Sequence, residues 1–463
     1  MFYKLKKNGK ELLQGLLKRP KRYMTEILST KNQIPFVFQN WNEEYQWWHP
    51  NTVPLDFRIN GVKRLPATHE SMWFDIGTIP DNQVRNSSWF SCASAKNEIL
   101  FHTPNIKFIK HSDLKDQKYV FPVFSPATTY FKSHQAIGFK YVDPSILEDI
   151  RNHKAVMIFM CPSEGLSGMG GAYSGDFDIL NQWCLDNQLP KTGVYYLHGN
   201  LKAPSYLQDH NFIYVPMDSF PGWISQDIDS PIEFNPAPNK NLFLCYNRRP
   251  HQHRIITVCE LMKHNLTERG IYSLGNPSLK IERTLEAINR LDLIKYGMKL
   301  DTLIPIELDL DLVKNNPANL VVPEHFKQTF ISVITETLTS DKTIFFSEKI
   351  YKSISIGHPF MVISSPGFLE ELRRRGYQTF DRWVDESYDS LPDVNDRISV
   401  IIKELVRLSK LSVEELKTIR EEMLPVLEHN QNKFAEIKRN EFDDGWSDNH
   451  TYKEIKKIWD NFK

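Results

Sequence analysis

The sequence predicts an α/β protein made of two Rossmann-like domains that face each other across a cleft. From Lys154 onward, short and continuously apolar segments alternate with segments of helical spacing, a pattern typical of parallel sheets with right-handed crossovers. The alternation stops at a Pro- and Asn-rich stretch, SPIEFNPAPNKN (230–241), and then begins again. A break of this composition predicts a domain boundary.

Length and composition support a globular protein of more than one domain. The chain has 463 residues, of which 41% are apolar and 25% charged, and roughly 150 residues per domain would give two or three domains. Its formal net charge is zero, so no overall field attracts nucleic acid, which we do not expect as a partner. The five cysteines are scattered, without CxxC or HExxH spacing, which fits reduced thiols in the cytoplasm and no dedicated zinc site.

Residues 1–50 are predicted to form a basic N-terminal arm. Its first 23 residues carry eight Lys and Arg against one Glu, with four leucines between positions 12 and 17. No apolar run is long enough to span a bilayer, and no secretory signal core is present. The composition of residues 1–23 therefore predicts a helix, which either lies on the inner membrane face or packs on the protein surface with its basic side solvated.

Residues 51–235 are predicted to form the N-terminal, acceptor-binding domain. From about residue 36 to 130 the sequence is rich in Trp, Phe, Pro and Asn and shows little periodicity, which predicts irregular structure with short strands. The predicted regular elements that follow are a strand in KAVMIFMCP, a helix in DFDILNQWCLDNQ, and strands in TGVYYLHGN and NFIYVPM.

Residues 236–440 are predicted to form a second α/β domain, and residues 441–463 a packing helix. The predicted strands are NLFLCY, GIYSLG, FISVITET and PFMVIS, and the predicted helices lie in RIITVCELMKHN, EKIYKSISIG, 393–409 and 412–430. The last helix places Tyr452, Ile455, Ile458 and Trp459 on one face, so we expect it to pack. Ligands bind at the carboxyl ends of strands in such sheets, and the strand-to-helix loops are therefore the candidate sites.

The first candidate loop is CYNRRPHQHR (245–254), which follows strand NLFLCY. It contains Arg248, Arg249 and Arg254 and no acidic residue. The planar fork of arginine suits phosphate oxygens, and the following helix adds N–H donors at its N-terminus. The loop predicts an anion site, with a solvated basic loop as the alternative.

The second candidate loop is SDKTIFFSEK (340–349), which leads into a helix. Ser347 is the predicted N-cap, so Lys349 stands in the first turn, where the helix dipole disfavours a cation. A bound phosphate would compensate that placement, and Glu348 would suit two vicinal ribose hydroxyls. Together these residues describe a nucleotide site, although Glu348 and Lys349 could also pair with each other or with solvent.

The segment FISVITET…FFSEKIYKSISIGHPFMVIS resembles the donor domain of GT-B fold Leloir glycosyltransferases, above all α1,3-fucosyltransferase-like and exostosin-like enzymes. Ser347, Glu348, Lys349, Gly357 and Pro359 match a Ser/Thr-Glu-Lys helix start that is followed by Gly and a Pro-containing strand. The resemblance covers roughly 241–388 and includes YNRRPHQHR upstream. It implies that Glu348 holds the donor ribose, that Lys349 holds the diphosphate, and that an arginine of the 248–254 loop assists.

The reaction also needs a base that deprotonates the acceptor if configuration inverts. We predict Glu164 as this catalytic base, because it lies in the Gly-rich loop CPSEGLSGMGGAYSGDFD after strand KAVMIFM. A flexible turn with Asp176 as an N-cap is the alternative. His198, at the end of VYYLH, is a further candidate base or a satisfied buried histidine.

Metal dependence has little support in the sequence. The spacing Asp-x-Asp occurs at 176–178, 227–229 and 309–311, but short motifs of this kind match by chance. We therefore expect no metal and no cofactor, with the nucleotide diphosphate sugar as co-substrate.

The sequence thus predicts a cytoplasmic glycosyltransferase that inverts configuration and needs no metal. It would move a hexose or pentose from a purine or uridine diphosphate sugar to a glycan hydroxyl in polysaccharide biosynthesis. Two rivals stay open. One is a DNA-modifying glycosyltransferase acting on hydroxylated bases, which would need a basic groove. The other is a non-catalytic nucleotide- or glycan-binding protein.

Overall fold

The structure, a computed structural model, describes residues 33–38, 57–59, 62–64, 106–124, 142–161, 175–224, 230–236, 241–306, 308, 321–442 and 447–463. The predicted N-terminal segment 1–23 and Glu164 lie outside these residues. No helix in the described part is both long and apolar enough to cross a membrane.

Six parallel strands form the first sheet, in the order β4-β1-β5-β6-β7-β8. They are β1 Ile34–Phe38, β4 Ile106–Lys110, β5 Tyr119–Phe124, β6 Ala155–Cys161, β7 Val194–His198 and β8 Ile213–Pro216. A separate antiparallel pair consists of β2 Phe57–Ile59 and β3 Val62–Arg64. The predicted strands β6, β7 and β8 are confirmed.

Burial on both faces explains why β6 is continuously apolar. Met157 and Phe159 belong to one core cluster, whereas Ile158 and Met160 belong to the cluster on the opposite face, as the two-residue period of a strand requires. The first cluster includes residues of helices α1 Pro144–Arg151 and α2 Gly175–Asp186.

The short strands predicted within residues 36–130 are present in the described segments, although the sequence did not place them. β1, β4 and β5 occupy one half of the first sheet, because their pairing with one another and with β6 satisfies backbone groups that local periodicity does not reveal. β1 also lies upstream of residue 51, where the predicted acceptor domain begins.

Four parallel strands form the second sheet, in the order β10-β9-β11-β12. They are β9 Phe243–Cys245, β10 Gly270–Tyr272, β11 Ile331–Thr335 and β12 Phe360–Ile363. The accompanying helices are α3 Gln252–Lys263, α4 Ile281–Ala287, α5 Ile294–Asp301, α6 Pro323–Gln328, α7 Glu348–Ser355, α8 Phe368–Arg374, α9 Val394–Leu408, α10 Val413–Phe442 and α11 Ser447–Phe462. All the strands predicted here are confirmed.

The last helix returns to the first sheet. Tyr452, Ile455, Ile458 and Trp459 of α11 all join the core cluster that includes Val156 of β6. The apolar face read from the sequence is therefore the face that packs, and it covers the side of the sheet opposite α1 and α2.

The loops after the first sheet meet the loop that precedes α7. After β7, Leu201 N–H donates to the Ile344 carbonyl oxygen at 2.8 Å, and the Asn200 side-chain amide donates to the Lys342 carbonyl oxygen at 3.1 Å. After β8, Phe220 packs edge-on against Phe345, with ring centroids 5.4 Å apart. The carboxyl ends of β7 and β8 thus face the loop between β11 and α7.

Candidate functional site

The loop after β9 is fixed by a close approach of two backbone segments. A Cβ atom added at Gly275 would lie 2.1 Å from the carbonyl oxygen of Arg248, and Gly275 N–H donates to the Asn247 carbonyl at 3.0 Å. Only glycine fits so close to another backbone. Arg248 makes this contact through its backbone, and Arg249 comes next in the chain. Both residues are exposed, as side chains that bind an anion from solvent must be.

Arg254 lies in the first turn of α3 and is 3% exposed. Its guanidinium donates to the carbonyl oxygens of Arg249, at 3.0 Å, and Thr335, at 2.9 Å. Within the described residues its Nε atom has no hydrogen-bond partner. Burial lowers the pKa of Arg254, an effect that nearby Glu336 opposes. Within the described part of the chain, Arg254 is therefore held by neutral carbonyl groups and makes no direct ion pair.

α7 begins as predicted. Ser347 is the N-cap, and its hydroxyl oxygen accepts from the Lys349 backbone N–H at 3.2 Å. The Lys349 ammonium lies 3.0 Å from the same hydroxyl and 3.3 Å from the carboxylate of Glu348. Glu348 and Lys349 are both half-buried. The pairing considered above as an alternative is thus present in this structure, alongside the contacts that hold Lys349 near the cap.

Two lysines act on Glu348. Burial opposes ionisation of its carboxyl, but Lys349 and Lys352 outweigh that effect and hold the pKa of Glu348 below its usual range. Burial in turn lowers the pKa of Lys352 to about 8, although Glu348 favours its charged form. Glu348 is therefore an anion at neutral pH, as a carboxylate that accepts from hydroxyl groups must be.

Glu336 is a site residue that the sequence analysis missed. It follows β11 directly and is 1% exposed. Its Oε2 accepts from the Ser347 hydroxyl at 2.7 Å and lies 3.5 Å from the Lys349 ammonium. The position of an acid at the carboxyl end of a predicted strand is the signal that could have found it.

The two candidate loops meet at Glu336. Its carbonyl oxygen lies 2.7 Å from Nε2 of His253, in the first turn of α3, while its carboxylate contacts the N-terminus of α7. His251 stacks on His253 with ring centroids 5.9 Å apart. Burial, together with the three cations Arg254, Arg249 and Lys349, lowers the pKa of His251 to about 4. Arg249, Arg254 and Lys349, which come from the two candidate loops, therefore all lie near His251.

This arrangement suits an anion. Among the residues that the structure describes, Arg249, Arg254, Lys349 and Lys352 lie near two carboxylates, those of Glu336 and Glu348. The N-cap of α3, His251, makes no side-chain cap hydrogen bond, although Arg254 N–H already donates to the His251 carbonyl oxygen at 3.0 Å. The N-terminus of this twelve-residue helix contributes its partial positive charge to the same region.

Other sequence-predicted candidates fall elsewhere. His198 is fully buried, and its Nδ1 lies 3.1 Å from Asn200 N and 3.0 Å from the Tyr214 hydroxyl, which makes it a core histidine hydrogen-bonded through Nδ1. Glu164 lies in 162–174, outside the described residues, as do the Asp-x-Asp spacings at 227–229 and 309–311. Among the residues that the structure describes, no group of three or more His, Cys, Asp or Glu could hold a metal ion.

The fold and the site define an α/β protein of two parallel-sheet units with a cationic cluster at the carboxyl edge of the second sheet. No protein-family model matches the chain, and no curated protein sequence matches it. Among solved structures it is similar to the apo form of the lipopolysaccharide outer core galactosyltransferase WaaB, with 12% identity, 72% of this chain and 85% of that chain covered, and a TM-score of 0.29. A likeness of that size says nothing about donor, acceptor or mechanism, and the fucosyltransferase-like and exostosin-like resemblance stays a prediction.

Proposed function

We propose that the protein is a glycosyltransferase that moves a sugar from a nucleotide diphosphate sugar to a hydroxyl of a glycan acceptor. One observation carries the proposal: Arg249, Arg254 and Lys349 converge with Glu348 at the carboxyl edge of the second sheet. That edge is where doubly wound sheets bind their ligands. Cations together with a helix N-terminus suit a diphosphate, and an ionised carboxylate suits a ribose.

Each residue has a distinct part in this proposal. Lys349 and the arginines Arg248, Arg249 and Arg254 hold the diphosphate. Glu348 accepts from the two vicinal ribose hydroxyls, since its pKa is held low and it stays ionised. Ser347 caps α7 and thereby fixes the direction of both neighbouring side chains.

The proposed reaction is a single displacement. The acceptor hydroxyl oxygen attacks the anomeric carbon, the bond from that carbon to the diphosphate oxygen breaks, and the hydroxyl proton passes to a carboxylate, for which we propose Glu164. The anomeric configuration inverts. The positioned cations stabilise the charge that develops on the leaving diphosphate, and we propose that the reaction requires neither a metal nor a cofactor.

The proposed acceptor is inferred from the charge distribution of the sequence. We propose that the acceptor is a glycan of the cell surface and that the enzyme acts in polysaccharide biosynthesis. In this proposal the enzyme is cytoplasmic and its basic segment 1–23 contacts the inner membrane face. The zero net charge of the chain gives no support to a DNA acceptor.

The donor site is tested by nucleotide binding and donor hydrolysis. Thermal shifts are measured with UDP-, GDP-, CMP- and dTDP-sugars, and released nucleotide is assayed for each. We expect one nucleotide class to stabilise the protein and Lys349→Ala to weaken its binding about tenfold or more, since a charged hydrogen-bond donor is lost.

Lys403→Ala is the matched control, because Lys403 is an exposed lysine of α9. It should bind nucleotide like the wild type. If no nucleotide shifts the melting temperature, or if Lys349→Ala binds as well as the control, the donor-site proposal is wrong. Binding without any turnover would instead indicate a non-catalytic nucleotide-binding protein.

A further inference from the structure

The contacts of Glu336 differ in strength. Its bond from the Ser347 hydroxyl, at 2.7 Å, is short, whereas the Lys349 ammonium lies 3.5 Å away. The other contacts of that ammonium, to Ser347 at 3.0 Å and to Glu348 at 3.3 Å, also exceed the roughly 2.7–2.9 Å of a strong charge-assisted hydrogen bond. Glu336 is thus firmly placed, while Lys349 is only loosely held.

Glu336 also keeps an unused acceptor. Its Oε1 atom is buried and makes no hydrogen bond within the described part of the chain. The Nε of Arg254 is likewise buried without a partner among these residues, and the charge of Glu336 opposes the effect of burial on Arg254. An acid that merely capped α7 would not need to be nearly inaccessible and close to both cations, since Ser347 already supplies the cap.

From these contacts we propose that Glu336 is a positioning residue that serves as a resident anion. It balances Arg254 and holds Lys349 near the anion site while that site is empty. An incoming diphosphate then takes over Lys349 and leaves Glu336 bonded to Ser347. The inference rests on the proposed donor site, because it assigns a diphosphate as the anion that replaces Glu336 at Lys349.

The charge of Glu336 should therefore have two opposite effects. It stabilises the empty protein, because buried cations without a counter-ion are costly. It also weakens diphosphate binding, because it competes for Lys349 and repels the ligand. A residue with only a structural role would produce the first effect without the second.

Glu336→Gln separates these effects, since the amide oxygen can still accept from Ser347 while the charge is lost. The probe is inorganic diphosphate, and the measurements are the melting temperature and calorimetric affinity. We expect Glu336→Gln without ligand to melt several degrees below the wild type. We expect it to bind diphosphate about tenfold more tightly, which corresponds to a gain of ~1.4 kcal/mol in binding free energy. In Glu336→Gln that also carries Lys349→Met, the gain in affinity should vanish.

Glu404→Gln is the matched control, because Glu404 is a buried carboxylate that pairs with Arg407 on α9. It should lower the melting temperature and leave diphosphate affinity unchanged. Equal or weaker diphosphate binding by Glu336→Gln would overturn the inference, as would a wild type that does not bind inorganic diphosphate. If Glu336→Gln folds only poorly, saturating diphosphate should restore its folding, and failure to do so also overturns the inference.

The outcome is separable from that for the proposed function. Diphosphate binding with the expected Glu336→Gln effect, but no binding of any nucleotide sugar, would reject the glycosyltransferase and keep the resident anion. If the protein turns over a nucleotide sugar but Glu336→Gln binds diphosphate no more tightly than the wild type, the glycosyltransferase proposal stands and the resident-anion proposal is rejected.

Discussion

Helix α7 is held from two sides by two carboxylates that are alike in burial and different in their partners. Glu336, 1% exposed, contacts Ser347 and Lys349 at the start of the helix. Asp218, whose side chain is 9% exposed, comes from the loop after β8 and accepts from the Tyr351 hydroxyl and, at 3.1 Å, from Arg375. Each carboxylate keeps one buried oxygen without a partner in the described part of the chain.

Asp218 and Glu336 differ in how firmly their partner side chains are bound by other groups. Asp218 binds the buried phenol of Tyr351 and an arginine that is also paired with Glu371 at 2.9 Å, so its partners are occupied on all sides. Lys349 on the Glu336 side is half-buried and only loosely contacted. The Asp218 side therefore fastens α7 to the first half of the chain, while the Glu336 side leaves a cation available for exchange with a ligand.

The largest effect is expected on the Asp218 side. Asp218→Ala should lower the free energy of unfolding by about 3 kcal/mol, because it leaves Tyr351 and Arg375 buried with an unmet partner. Asp218→Asn should cost less, since it can still accept from Tyr351 and burial already raises the pKa of the native carboxyl. Urea unfolding measures both changes.

Two comparisons test whether Asp218 only stabilises the packing of α7 or also affects diphosphate binding. Asp292→Ala removes a half-exposed carboxylate that pairs with Arg290 and Lys263 and should cost under about 1 kcal/mol. Saturating diphosphate should add the same stability to Asp218→Ala as to the wild type. A larger ligand-induced gain in Asp218→Ala would place Asp218 in the same exchangeable network as Glu336 and break the contrast.

The second prediction concerns how the stability of the folded protein changes at acidic pH, through His253 and Asp218. Burial, with Arg254, lowers the pKa of His253 to about 3, whereas the unfolded chain takes up that proton near pH 6.5. Below about pH 6.5 the unfolded state binds more protons, so stability should fall as pH decreases towards 3, by up to about 1.4 kcal/mol per pH unit. Asp218 has the opposite sign, because its raised pKa lets the folded state bind a proton first.

Urea midpoints between pH 7 and pH 4 test this difference. His253→Gln keeps a donor for the Glu336 carbonyl but cannot titrate, so its loss of stability in acid should be shallower than that of the wild type. Asp218→Asn should steepen the loss, since it removes a group that favours the folded state in acid. An unchanged slope in His253→Gln would show that folding does not lower the pKa of this histidine.

Much of the fold could be predicted because both faces of the central strands are covered. β6, β9 and β12 read as continuous apolar runs for that reason. β1, Ile34–Phe38, could not be predicted, since its pairing with β4 is parallel and joins segments distant in the chain, and its surrounding composition is irregular.

Longer-range contacts explain two further misses. α10 was predicted to end near Asn430, a residue that often ends helices, yet it continues to Phe442. The Asn430 side chain bonds both the N–H and the carbonyl of Gln378, at 2.8 and 2.9 Å, and this contact supports it inside the helix. Glu336 stands at the end of a predicted strand, but its contact with Lys349, thirteen residues further along the chain, could be recognised only from the fold.

The smallest effect is expected at Ser347, where the two roles of the α7 N-terminus can be separated. Ser347→Ala removes the cap of the helix and should lower the free energy of unfolding by about 1 kcal/mol. It also removes the hydroxyl between Glu336 and Lys349, so diphosphate affinity should change severalfold. Asp393→Ala removes the cap of α9, which accepts from Asn395 N–H at 2.7 Å, and should cost similar stability with no change in affinity. Ser347→Thr should restore both properties, and equal affinities in the two cap variants would mean that Ser347 acts on α7 alone.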